Sequence, residues 1–129
     1  MTTWSDVTRF VHTNYTAESI NDATIKLVFD TGNLRSQLVF VEHTWNDTGA
    51  DWVKVNSPIG TIVEVDVRRA IEIVGGMLVG GIMSDGEYVY VTNAMPLRNL
   101  DANEITEPLV RVTTIADSIE AELLGKDTV

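Results

Sequence analysis

The sequence predicts an α+β fold: an antiparallel sheet with helices packed on one face, in the order α-β-β-β-α-β-β-α, forming a single domain over residues 1–129. Three observations carry the prediction. Segments of alternating polarity are separated by tight turn sequences, Asp30-Thr31-Gly32-Asn33, Asn46-Asp47-Thr48-Gly49-Ala50 and Ser84-Asp85-Gly86, which is the pattern of antiparallel hairpins. Helical segments open, interrupt and close the chain. The last of them, Glu104 to Gly125, places Ile105, Leu109, Val112, Ala116, Ile119 and Leu123 at the three-and-four spacing of one helix face. That stripe needs a surface to lie on, and the hairpins supply it.

The elements follow in order. Ser5 or Thr3 caps a first helix from about Asp6 to Tyr15, whose apolar face is Val7, Phe10, Val11 and Tyr15, with Trp4 just ahead as a staple. Thr16 to Asp22 is polar and reads as a connector. Thr24 to Asp30 alternates Ile25, Leu27 and Phe29 with Lys26, Val28 and Asp30, and so reads as a strand. Leu34 to Trp45 is the return strand, apolar on both faces at its centre. Asp51 to Ser57 completes a three-stranded meander, and Pro58-Ile59-Gly60 breaks it. A second helix runs from about Val65 to Gly75, with Val67, Ala70, Ile71 and Val74 as its apolar face and Gly75-Gly76 at its end. Met77 to Met83 is an apolar, glycine-interrupted strand. Glu87 to Met95 is its hairpin partner, ended by Pro96. In the closing helix Asp101 or Asn103 caps the first turn, Pro108 sits early, where a missing N–H costs little, and Gly125 with Lys126 ends it.

The composition narrows the function. The net charge is −10, with nine basic residues against 19 acidic ones and no basic cluster beyond Arg68-Arg69. Nucleic acid and anionic membrane are therefore poor partners, since both are held by Lys and Arg on phosphate. The absence of cysteine excludes disulfides and thiol chemistry, and fits a reducing cytoplasm. The first residues show no basic-then-apolar leader, and the longest apolar run is far too short to span a bilayer.

Several stretches together resemble the type III secretion chaperone-like fold, and within it the YbjN-like group of small bacterial proteins. They are Trp52-Val53 followed by Ser57-Pro58-Ile59-Gly60, then Gly80-Gly81-Ile82 and Asp85-Gly86, then Met95-Pro96-Leu97. The final helix adds Ile115-Ala116-Asp117-Ser118-Ile119-Glu120, Leu123 and Asp127. The likeness spans nearly the whole chain in element order. It implies a non-enzymatic protein, chaperone-like or regulatory, with no catalytic residues; the residues themselves suggest no cofactor or metal site. It also implies a homodimer contact through the second helix and the strand after it. The residues agree in one respect. Gly75 to Met83 is too apolar for a solvated edge, so the rest of the chain or a second copy covers it.

Other motifs offer chemistry. Asp-Thr-Gly occurs twice, at Asp30 and at Asp47, and is the triplet with which small dimeric aspartic proteases pair two carboxylates. Ile73-Val74-Gly75-Gly76-Met77 imitates a flap, and Leu97-Arg98-Asn99-Leu100 faintly echoes that family's late motif, but Leu97 stands where a glycine belongs. A retropepsin-like protease is thus the alternative to a binding module, and ordinary Asx turns are the plainer explanation of the triplets. His12 and His43, the only histidines, have no partner at ligand spacing in the sequence. Asp117, Glu120 and Glu122 read as a solvated acidic face, with Asp117 close enough to the apolar stripe to accept a structural hydrogen bond. Trp45 and Trp52 flank the second turn. Each is core or, if exposed, part of a binding surface. The expected protein-binding residues are therefore Trp45 and Trp52 at that turn, and Met77, Val79 and Ile82 on the apolar strand.

Overall fold

The computed structural model describes residues 2–32, 35–77 and 80–124. The fold is α+β, a six-stranded antiparallel sheet with three helices. In chain order the elements are α1 (Trp4–Asn14), β1 (Ala17–Asn21), β2 (Thr24–Gly32), β3 (Arg35–Trp45), β4 (Asp51–Thr61), α2 (Val67–Gly75), β5 (Gly81–Ser84) and β6 (Tyr88–Pro96). A single 3-10 turn (Ala102–Ile105) then leads into α3 (Thr106–Leu123). The strands stand side by side as β1-β2-β3-β4-β6-β5, so the first four form a meander and the last two add as a hairpin.

Helix starts follow the capping residues. Thr3 caps α1: its hydroxyl accepts from the Asp6 N–H at 3.2 Å, and the Asp6 carboxylate accepts from the Thr3 N–H at 2.9 Å. Asp66 caps α2 by accepting from the Arg69 N–H at 3.1 Å. Before α3, the Glu104 carboxylate accepts from the Asp101 N–H at 2.7 Å. Along α3 the expected stripe is in place. Ile105, Leu109, Val112, Ala116 and Ile119 are all buried, against a sheet face made of Ile25, Leu27, Val39, Val41, Val53, Val55, Val89 and Val91.

Period-two alternation sends the neighbours of those residues to the other face. Lys26, Val28, Leu38, Phe40, Glu42, Lys54, Asn56, Tyr90 and Thr92 share it by register. The helix contacts with the sheet lie on the opposite side, so among the described residues this second face carries no helix.

Five local expectations change. Thr16 to Asp22 is not a plain connector: Ala17–Asn21 pairs with β2 as an edge strand, and only Ala17 is better than mostly exposed. Pro58-Ile59-Gly60 does not break β4, which continues to Thr61 through a bulge between Pro58 and Gly60. Trp4 is the first residue of α1, not a staple ahead of it. On α2 the buried face is Ala70 and Val74, whereas Ile71 is 54% exposed. The expected strand from Met77 narrows to Gly81–Ser84. Leu78 and Val79 lie outside the described residues, as do Asn33 and Leu34 and the chain from Gly125 onward.

Candidate functional site at the hairpin tip

The turn between β3 and β4 is built by one side chain. Asn46 Oδ1 accepts from the Thr48 N–H at 3.0 Å, the Thr48 hydroxyl at 2.7 Å and the Ala50 N–H at 2.9 Å, and Gly49 turns the chain at φ +82°. This fixes the register in which Trp45 faces Asp51 and Thr44 faces Trp52. The two tryptophans therefore leave neighbouring strands on opposite faces of the sheet. Trp45 is 55% exposed and Trp52 half-buried.

A cluster of three rings supports Trp45. Its centroid lies 4.3 Å from that of His43 with the rings tilted by 45°, and His43 lies nearly parallel to Trp4, at 5.3 Å and 9°. Trp4 is held in turn by donating its indole N–H to the Asp22 carbonyl at 2.8 Å. His43 Nε2 sits 3.0 Å from Asp51 Oδ1, so the first turn of α1, β3 and β4 meet through one imidazole. Sequence spacing hid this partner, because Asp51 comes from the next strand. Beside the stack, a cleft of about 450 Å³ is lined by Asn46, Asp51, Trp52, Leu97, Arg98 and Asn99. A smaller depression of about 300 Å³ is lined by Thr44, Trp45, Trp52, Lys54 and Ala94. Aromatic faces, amides and charges of both signs thus surround the tip, a mixture suited to gripping a polypeptide.

The other expected binding residues gather elsewhere. Met77 is 45% exposed and Ile82 half-buried. With Ile71, Val74 and Gly81 they line a groove of about 510 Å³ between α2 and β5. Val79 is outside the described residues. The five expected residues therefore mark two regions, the tryptophans at one and the apolar pair at the other.

The Asp-Thr-Gly triplets sit apart. Asp30 lies opposite Ser36 near the start of β3, and Asp47 lies beyond Trp45 at its end. At about 3.3 Å per residue the two are separated by roughly 30 Å within one chain. Asp30 Oδ1 accepts from the Gly32 N–H at 3.0 Å, an Asx turn. His12 meets the Ser19 hydroxyl at 2.9 Å on the surface. Among the described residues, no three His, Asp or Glu side chains gather as metal ligands would.

A buried ionic cluster had no local signal. Arg35 Nε reaches Asp117 Oδ1 at 3.1 Å, and its Nη2 lies 3.5 Å from Glu120 Oε1. Asp117 accepts the structural hydrogen bond its position suggested. Glu120 corrects the expectation of a solvated acidic face: it is fully buried, on the side of α3 that meets the sheet.

Matches to protein-family models and to curated proteins are both lacking for this chain. Among the described residues, no helix is long and apolar enough to cross a membrane.

Proposed function

We propose that this chain is a non-enzymatic protein-binding module, chaperone-like or regulatory, that acts as a homodimer in the cytoplasm. Its client is a peptide or protein segment gripped at the hairpin tip. One observation carries the reading: Trp45 is 55% exposed yet rests at a tilt against His43, 4.3 Å between centroids, which itself stacks on Trp4. An exposed indole that is already fixed loses little side-chain entropy on binding and offers a large apolar area, which is why tryptophan dominates binding hot spots. The likeness to the YbjN-like group and to secretion chaperones points the same way, towards capture of a polypeptide without catalysis.

The test is selection from a displayed library of random peptides on the immobilised wild-type protein. Enriched peptides are then titrated against Trp45→Ala and Trp52→Ala. The expected result is at least a tenfold loss of affinity in Trp45→Ala, with circular dichroism unchanged. Peptides that bind Trp45→Ala as tightly as wild type would remove the tip from the reading. Failure to enrich any peptide would remove the client.

A further inference from the structure

We propose that a second copy of this chain covers the helix-free face of the sheet. This rests on the homodimer in the reading above and names the surface that forms it. Three observations point to this occupant. The first is apolar content. Val28 is 57% exposed, with Leu38, Phe40, Met83 and Tyr90 half-buried on the same face. Large apolar side chains on one flat face are the signature of a covered sheet.

The second observation is charge. The chain carries a net −10, so two copies repel over most of their surfaces. The middle of this face is balanced. Glu18 stands opposite Lys26, and Glu42 opposite Lys54. Asp30 and Asp85 occur only along one rim, and Asp85 is engaged there by the Tyr90 hydroxyl at 2.8 Å. Among the described residues neither Lys26 nor Lys54 forms an ion pair. Two half-buried lysines therefore stand on this face beside two carboxylates. A two-fold axis would bring the lysines of one copy over the glutamates of the other. A strongly basic or acidic partner would match only half of this pattern.

The third is area. Six strands spaced about 4.8 Å apart, averaging about eight residues at 3.3 Å, present roughly 750 Å² per copy. Doubled, that is about 1,500 Å², within what a specific pair of proteins buries. The amide and hydroxyl at the centre are already satisfied within the chain: Asn56 donates to Glu42 Oε1 at 2.7 Å and accepts from the Thr92 hydroxyl at 2.6 Å. Covering it with a second sheet leaves neither amide nor hydroxyl orphaned.

Sedimentation velocity across a concentration series tests the proposal, with circular dichroism confirming that each variant is folded. The wild type is expected to be a dimer. Val28→Glu and Lys26→Glu should each weaken it at least tenfold, and Ile71→Glu, in the groove between α2 and β5, should leave it intact. Dissociation by Ile71→Glu alone would overturn the face while keeping the homodimer. A monomeric wild type would overturn both. Should Val28→Glu fail to fold, Val28→Cys decides, since the chain has no other cysteine. Maleimide labelling at that position should slow as protein concentration rises through the dimer range, and an unchanged rate would refute the covered face. Peptide capture is read at Trp45, which lies on the other face of the sheet from Lys54 and Asn56, so that readout and the dimer surface stand or fall independently.

Discussion

Gly60→Ala should destabilise the protein by about 3 kcal/mol, and the structure divides that figure into two parts. Gly60 sits in the β4 bulge at φ +146°, a backbone region closed to residues with a side chain except at a cost of roughly 1–3 kcal/mol. A methyl group there would also stand 2.9 Å from Leu124 Cδ1 and 2.9 Å from Val65 Cγ2. Both atoms are branch ends of packed side chains, one following α3 and the other preceding α2. Overpacking of this kind costs about 1–3 kcal/mol. Urea denaturation followed by circular dichroism measures the sum, and a thermal scan should show a loss of roughly 10 °C. The parts separate in a double-mutant cycle. Leu124→Ala relieves one of the two close approaches, so Gly60→Ala should cost about 1 kcal/mol less in that background than in the wild type. The backbone part persists. A Gly60→Ala variant within about 0.5 kcal/mol of wild type, or a cycle with no coupling, would refute both the bulge conformation and its contact with the end of α3.

Two further outcomes follow from charged groups. Arg35→Met should lower stability by about 3 kcal/mol or more by chemical denaturation, because it removes the guanidinium bridging Asp117 and the fully buried Glu120 while leaving those carboxylates in place. Asp85 is held below the usual carboxylate range by the N–H groups of Tyr88 and Glu87 and by the Tyr90 hydroxyl. A lowered carboxyl contributes stability that is present above its unfolded value, near pH 4, and is lost as pH falls through the folded value. Asp85→Asn should therefore flatten the acid limb of the stability profile, with little change in its slope near neutrality; an unchanged acid limb would contradict this assignment.

Much of the architecture could be read from residue spacing, and the differences have physical causes. The α3 stripe was legible because one helix face is wholly buried and the opposite face is mostly solvated. β2 was legible because one side faces helices, so polarity alternates, and β3 and β6 because runs of β-branched and aromatic residues are bounded by turns. β1 was not: as an edge strand it buries nothing beyond part of Ala17, and Glu18-Ser19-Ile20-Asn21 carries no alternation to detect. Pro58 misled for a different reason. Proline lacks the N–H a ladder uses, yet at a bulge its absence is tolerated, and the Pro58 carbonyl still accepts from the Gln37 side chain at 2.7 Å. At the tip, turn chemistry identified the two tryptophans, but the rings beside Trp45 come from α1 and β3 and the carboxylate on His43 from β4, and no local pattern encodes that meeting. The same holds for Arg35 and Glu120, which come from distant parts of the chain. Its charge points Glu120 to solvent, although it follows Ala116 by one helical turn and so falls on the buried face.

The strand order has a kinetic consequence. From β1 to β4 each strand pairs with its sequence neighbour, so every step needs only a short turn to close. β5 and β6 likewise make a local hairpin. The seam between β4 and β6 is different, because α2 and the whole β5 strand must be looped out before Trp52 can find Pro96 and Thr61 can find Tyr88. Closing that loop precedes the reward of its contacts, so the transition state for folding should lie at this seam. The two hairpin systems would then form early and independently, and α3, which contacts both β4 and β6, would lock the sheet only once they have joined.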